Sequence, residues 1–370
     1  MKYGKKIDST LARFIIIAIA AAASIPILFM TLSGSLDDSW KFAIHQARLS
    51  GLVFGSDIVF TFGPLGFLTY PIYIDRGLWL AALGYTIFTH LMFWGALYVF
   101  LKRSKSGLLS TFYVAAAAVV FIQGVIEAYG RAGESYNYFY LFLMAYAYTQ
   151  TKDKNIPLLG VISAVSALFC YVKFSLGLAA ALMFMTLIVL LALQKRYKEA
   201  AMGAVMYAAF KVIAGLVLIG GPMAIAAFFY NSWAIADGYA DAMAVDGPQW
   251  KLAAAVFAWA VFAVFLMFAI RRKNYGDVSY LALAIGMLFI NYKHSAGNGS
   301  IFEWDFFVTW GMVFTLYYVK KAQDSTQDRD KEGQGVWIKR AAIAVSLVLC
   351  AFAAYEFHLR AAPLKEIVTS

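Results

Sequence analysis

The chain has 370 residues, of which 62% are hydrophobic and only 14% are charged, and its formal net charge is +10. Soluble domains keep about a quarter of their residues charged, so this composition excludes a water-soluble fold and requires a bilayer as the solvent. The lysines and arginines form short clusters between apolar stretches, a pattern that disfavours nucleic-acid binding and is typical of membrane topology signals.

About eleven apolar segments are long enough to cross roughly 30 Å of hydrocarbon. In chain order they are residues 11–32, 79–101, 108–126, 136–150, 156–172, 174–194, 209–230, 252–270, 277–292, 303–319 and 340–356. We therefore predict an all-α integral membrane protein that forms a single polytopic domain over residues 1–370, with an uncleaved first span. Both cysteines lie in apolar segments and the four histidines are scattered, so no disulfide and no protein metal site is predicted.

The basic clusters occur in alternate loops, which predicts the orientation of the chain. They are Lys2/Lys5/Lys6, Lys102/Arg103/Lys105, Lys152/Lys154, Lys195/Arg196/Lys198, Arg271/Arg272/Lys273 and Lys320/Lys321 through Lys339/Arg340. We expect these loops and the N-terminus in the cytoplasm of a bacterium and the C-terminus outside its inner membrane. Residues 320–339 then form a cytoplasmic linker, residues 357–370 form a short outer tail, and Lys173 lies in a very tight outer turn.

The longest outer loop, residues 33–78, contains a predicted surface helix. Asp37 and Asp38 follow the first span, and Gly51 is expected to end the helix. The predicted apolar face consists of Trp40, Ala43, Ile44 and Ala47, and the predicted polar face of Lys41, His45 and Arg48. The segment that follows, residues 53–67, is too short and too rich in Gly and Pro to span.

Two interpretations of Asp37 and Asp38 stay open on composition alone. An aspartate before a helix satisfies free backbone N–H groups and opposes the positive end of the helix dipole. The alternative is a general base or a metal ligand at the membrane surface. A carboxyl group beside apolar surface has a raised pKa, which suits removal of a proton from a sugar hydroxyl.

The motif Asp37-Asp38-Ser39-Trp40, together with the Gly/Phe-rich stretch at residues 51–68, resembles the N-terminal signature of a group of bacterial multi-span proteins. That group is similar to the C-type glycosyltransferases, which use polyprenyl-phosphate sugars. The resemblance implies a fold like that superfamily's and places the catalytic base on Asp37 or Asp38. It also leaves a divalent cation open as a cofactor.

A lipid-linked phosphate needs cationic partners, and sugar rings need aromatic and acidic ones. The candidates for the donor phosphate are Lys173, Arg131, Lys293, His294, Lys41 and Arg48, each of which could instead be a snorkelling interfacial side chain. The candidates for sugar or acceptor contact are Trp40, Asp57, Glu303, Trp304 and Asp305.

No nucleotide-binding motif and no nucleophile elbow is present in the sequence. The resemblance implies an inverting membrane glycosyltransferase that transfers sugar from a polyprenyl-phosphate donor to an envelope glycan, lipid or protein acceptor at the extracytoplasmic face, and this is the function we expect. The alternatives are a transporter or flippase for a lipid-linked sugar, and a scaffold for envelope assembly. A transporter would carry essential charges at membrane depth, for which Lys173 and Lys211 are the main candidates.

Overall fold

The computed structural model describes residues 9–26, 29–32, 36–129, 134–151, 154–242, 249–296 and 303–326. This part of the chain is helical, with one 3-10 helix at Gly66–Thr69, isolated bridges and no named strand. The helices are α1 Ser9–Ala23, α2 Leu36–Leu49, α3 Arg76–Arg103, α4 Leu108–Tyr129, α5 Glu134–Thr149, α6 Ile156–Val172, α7 Phe174–Leu193, α8 Tyr197–Leu218, α9 Pro222–Ala242, α10 Gln249–Arg271, α11 Tyr275–Ala296 and α12 Glu303–Thr326.

The surface of the helical bundle indicates a membrane protein. Within the described residues, α3, α7 and α8 are long and apolar enough to span a membrane, and α1, α4, α6 and α10 contain shorter apolar helices. Large apolar side chains point outward, such as Val217, which is 78% exposed, and Leu109, which is 63% exposed. A bilayer offers such side chains the apolar contact that water does not.

Helix α5 lies at the centre of the bundle and contacts α3, α7 and α11. Every side chain in residues 136–148 is buried. Its tyrosines bring hydroxyl groups into the core, and Tyr136 Oη lies 2.7 Å from His90 Nδ1 of α3. A helix that is buried on all sides needs no amphipathic stripe, which explains why the large aromatic residues of α5 occur on every face of the helix.

The first predicted span is wrong in its second half. The structure ends α1 at Ala23 instead of continuing a helix over residues 11–32. Ile25 precedes Pro26, and a residue before proline is disfavoured in the helical region. After the break, Met30 N–H donates to Pro71 O at 3.0 Å. The 15 helical residues of α1 cover only about 22 Å.

The predicted span over residues 209–230 is also wrong, because two helices meet inside it. α8 ends at Leu218 and α9 begins at Pro222. Gly220 between them has a φ of +117°, which lets the chain turn where a side chain would be strained. The membrane-crossing candidate is therefore α8 over Tyr197–Leu218, about twelve residues earlier than predicted.

The loops rich in lysine and arginine lie at one end of the bundle, which we call the basic end. Contacts between helix termini define it: Gln194 Nε2 donates to Ser279 Oγ at 3.3 Å, and Arg103 donates to Ala147 O. Asp277 at the start of α11 pairs with Lys320 and Lys321 of α12. α12 continues to Thr326, so the predicted linker does not begin at residue 320.

At the opposite end, which we call the loop end, α6 and α7 form the predicted tight hairpin. Lys173 alone separates them, with an extended backbone at φ −150° and ψ 136°. The helices approach closely because Gly177 lacks a side chain: a Cβ there would lie 2.3 Å from Cys170 Cα. The predicted segment 340–356 lies outside the described residues, as does the tail at 357–370.

Gly177→Ala is expected to destabilise the protein, because its methyl group forces α6 and α7 apart. We expect a loss of about 2 kcal/mol in the free energy of unfolding, measured by titration with sodium dodecyl sulfate and helical circular dichroism. Gly95→Ala in α3 is the control, since nothing lies within 4 Å of its Cβ position. Equal effects of the two substitutions would contradict the close packing at Gly177.

Candidate functional site at the loop end

Main-chain hydrogen bonds join residues 61–65, in the loop after α2, to the α6–α7 turn. Gly63 N–H donates to Val172 O at 3.1 Å, and Leu65 N–H donates to Tyr171 O at 2.8 Å. In return, Phe174 N–H donates to Thr61 O at 2.9 Å. A Cβ on Gly63 would lie 2.5 Å from Tyr171 O, so this approach requires glycine. The loop and the turn therefore form one structural unit.

The surface helix α2 ends as predicted at Gly51. Its φ is +68°, Leu52 N–H donates to Ala47 O at 3.0 Å, and Gly51 N–H donates to Arg48 O at 3.4 Å. This is the Schellman pattern of a helix that stops at a glycine.

The predicted polar face of α2 is wrong at His45, which is fully buried. Its Nδ1 lies 2.9 Å from Lys41 O and its Nε2 lies 3.1 Å from Tyr70 O. His45 thus ties α2 to the chain before α3 and cannot reach a phosphate at the surface. Burial lowers its pKa below the ordinary 6.5, against the opposing effect of the two carbonyl oxygens.

Four aromatic side chains from α2 and the loop that follows it pack against one another. We call Trp40, Phe60, Phe62 and Tyr70 the Trp40 cluster. The Trp40 ring lies 5.2 Å from Phe62 in a stacked arrangement, 5.3 Å from Tyr70 edge-on and 5.7 Å from Phe60. Trp40 and Phe60 stay half-buried while Phe62 and Tyr70 are buried. The cluster therefore presents part of its aromatic surface beside the loop.

Charged groups border this cluster on two sides. Asp38 is 8% exposed, and its carboxylate lies 3.2 Å from Lys41 Nζ. The same ammonium lies 5.6 Å from the centroid of Tyr70. Lys173 Nζ lies 5.0 Å from the centroid of Phe62. The structure thus brings together four predicted site residues, Asp38, Trp40, Lys41 and Lys173, from α2 and the distant α6–α7 turn.

A further cation, Lys211, lies near this unit and was not among the predicted site residues. Its Nζ lies 4.6 Å from the ring centroid of Phe229 and 3.5 Å from Tyr207 Oη, and Tyr171 Oη donates to its carbonyl at 2.6 Å. No carboxylate of the described residues pairs with it. In the sequence, Lys211 stands out as a single basic residue inside an apolar helix, which is the feature that could have identified it.

Helix α9 covers the tip of the loop. Asn231 Nδ2 donates to Gly55 O at 2.7 Å, and a Cβ on Gly55 would lie 2.4 Å from Phe228 Cα. Asp57, a predicted sugar contact, is exposed and accepts the N–H of Val53 at 2.9 Å. The contact that the structure gives Asp57 is therefore the local one that closes the turn.

The remaining predicted residues are not joined to the Trp40 cluster by a described contact. Arg48 is exposed on α2, and Lys293 is exposed on the last turn of α11. Asp37, His294, Glu303, Trp304 and Asp305 lie in helices, but their side chains are outside the described part of the structure, as is all of Arg131.

The described groups can bind and polarise a phosphorylated, hydroxyl-rich molecule. Ammonium groups attract phosphate, a carboxylate accepts a hydroxyl proton, and aromatic rings pack against the apolar faces of a sugar. Among the described residues, no group of three or more His, Cys, Asp or Glu could hold a metal ion.

No protein-family model, curated protein or solved structure matches this chain. The resemblance to C-type glycosyltransferases therefore stays a prediction.

Acid is expected to loosen the loop at His45. Because burial lowers the folded-state pKa, the unfolded segment binds more protons below about pH 6.5, and stability falls as the pH falls. Hydrogen exchange of residues 44–52, corrected for intrinsic rates, should show less protection at pH 5 than at pH 7.5. His45→Gln should flatten this dependence, and an unchanged profile in that variant would contradict the assignment to His45.

Proposed function

We propose that this protein is an integral-membrane glycosyltransferase that takes sugar from a polyprenyl-phosphate donor. The observation that carries the proposal is the juxtaposition of Asp38 and Lys41 with Lys173 around the Trp40 cluster. Such a transfer requires a carboxylate that accepts a proton, ammonium groups that bind the phosphate, and aromatic surface that contacts the sugar. The acceptor is an envelope glycan, lipid or protein.

The aspartate pair supplies the base. The carboxylate of Asp38, or of its neighbour Asp37, takes the proton from an acceptor hydroxyl as that oxygen forms a bond to the anomeric carbon. The bond from the anomeric carbon to the phosphate oxygen breaks on the opposite side, so the configuration inverts. Lys41 Nζ, at 3.2 Å, holds the Asp38 carboxylate in position before the reaction.

The lysines hold the leaving phosphate. Negative charge grows on the phosphate oxygens in the transition state, and a preorganised ammonium group stabilises it there. Lys173 borders the Trp40 cluster, and Lys211 lies about 10 Å from the loop end of α8. An ammonium at that depth without a carboxylate partner among the described residues suits a phosphate whose lipid tail runs along the exposed apolar face of α8.

The proposed orientation of the protein in the membrane follows from the positions of its basic residues. The basic end faces the cytoplasm and the loop end faces outward in a bacterial inner membrane, with the N-terminus inside. Because α8 crosses the membrane and α10 returns, α9 stays on the outer side in this topology and covers the loop tip. About eleven membrane crossings remain the proposed number, since the break at residues 219–221 moves one crossing earlier and adds none.

Asp38→Asn should lower the rate of sugar transfer by a factor of about 10² to 10⁴, the usual contribution of a general base. Purified protein with a radiolabelled polyprenyl-phosphate sugar and an envelope extract as acceptor provides the measurement. Asp75→Asn is the matched control in the same loop, because asparagine also caps α3, as Asp75 does through Leu78 N–H. Asp37→Asn, alone and combined with Asp38→Asn, identifies which carboxylate takes the proton.

Normal transfer by the double variant would contradict the enzyme proposal. The same assay distinguishes the enzyme from the transporter alternative. Detergent-solubilised protein has no membrane across which it could move a lipid. A transporter leaves the donor intact under these conditions, whereas the proposed enzyme consumes it.

A further inference from the structure

Three helices end in the same unusual way at the basic end. α3, α7 and α10 are followed by Lys105, Lys195 and Lys273, whose φ angles are 49°, 61° and 54°. Each lysine N–H donates to the carbonyl three residues back at 2.9–3.1 Å. The next N–H donates to the carbonyl five residues before it, at 2.9–3.2 Å. These are three Schellman motifs with lysine in the position that favours glycine.

The same chain uses glycine for this motif at the other end of the bundle. Gly51 ends α2 with a φ of +68° and the same pair of hydrogen bonds. A Cβ makes the left-handed conformation sterically unfavourable, so each lysine keeps a local strain that glycine would relieve. In α3 and α10, attraction between a cation and the helix dipole does not require this position, because Lys102 and Arg271 already occupy the last helical turns.

The three lysines belong to a rim of exposed cations. Its members are Lys102, Arg103, Lys105, Lys195, Lys198, Arg271, Arg272 and Lys273. The nearby carboxylates have other partners, since Glu199 pairs with Arg196 and Asp277 with Lys320 and Lys321. Within the described part of the chain no carboxylate pairs with a member of the rim. The rim is therefore a positively charged surface that an external anion can approach.

Exposed apolar side chains next to the rim identify the kind of anion. Leu109 is 63% exposed, Leu193 is 62% exposed and Ile270 is 57% exposed, each within a few residues of a rim lysine. A soluble polyanion makes no favourable contact with these apolar side chains. A phospholipid contacts them with its acyl chains and contacts the rim with its headgroup.

We propose that Lys105, Lys195 and Lys273 form a binding rim for anionic phospholipid headgroups in the leaflet at the basic end. In this proposal the left-handed backbone conformation sets the position of the three ammonium groups at the rim. The rim is independent of the glycosyl-transfer proposal, since it lies at the opposite end of the bundle.

Thermal melting of the purified full chain tests this proposal, in neutral detergent with added phosphatidylglycerol or phosphatidylcholine. The combined variant K105G/K195G/K273G should melt at a higher temperature than the natural chain without lipid, because glycine relieves the strain. The rise in melting temperature caused by phosphatidylglycerol should fall by more than half. Phosphatidylcholine and free glycerol phosphate should give no comparable rise in the natural chain.

Two matched variants separate charge from backbone. K105R/K195R/K273R should keep the response to phosphatidylglycerol, and K105Q/K195Q/K273Q should lose it while keeping the strained backbone. A glycine variant with the full response to phosphatidylglycerol would overturn the proposal. An equal response to free glycerol phosphate would also overturn it, by making the rim a site for a soluble anion.

Discussion

The candidate site depends on three main-chain hydrogen bonds between the first loop and the α6–α7 turn. Gly63 and Leu65 donate to the end of α6, and Phe174 at the start of α7 donates back to the loop. Gly63, Val172 and Phe174 are buried, and buried peptide groups are costly to leave unpaired, so these bonds fix the position of the loop. The α6–α7 turn is itself narrow, because Gly177 lets the two helices touch. The positions of Trp40 and Lys173 follow from this junction.

The junction also explains how a surface helix becomes part of a site. α2 is held through His45, whose ring nitrogens lie beside two main-chain carbonyl groups, and through the packing of Trp40 on Phe62. The Tyr70 carbonyl and the Phe62 ring are each more than twenty positions away in the sequence, whereas the other carbonyl, that of Lys41, belongs to α2 itself. The Asp38–Lys41 pair is thereby fixed against the aromatic rings. A charged pair preorganised beside apolar surface is better suited to proton and phosphate chemistry than one in open water.

Local signals in the sequence predicted local structure well and long-range structure poorly. Gly51 predicted the end of α2, and the basic residues on both sides of Lys173 predicted a hairpin there. Hydropathy failed where apolar sequence continues across a break, as at Pro26 and at Gly220, although proline and glycine marked both places. The burial of His45 and the approach of Lys173 to Phe62 depend on pairing between distant segments, which composition and periodicity do not encode.

Photo-cross-linking with a polyprenyl-phosphate sugar that carries a diazirine beside the phosphate tests the central claim most directly. Native membranes are illuminated with the probe, and the labelled peptides of this chain are identified by mass spectrometry. We predict labels in α2, in residues 60–70 and around Lys173 and Lys211, with loss of label when unmodified donor competes. Labels confined to the basic end, around residues 195–198 and 271–273, would contradict a donor site at the loop end.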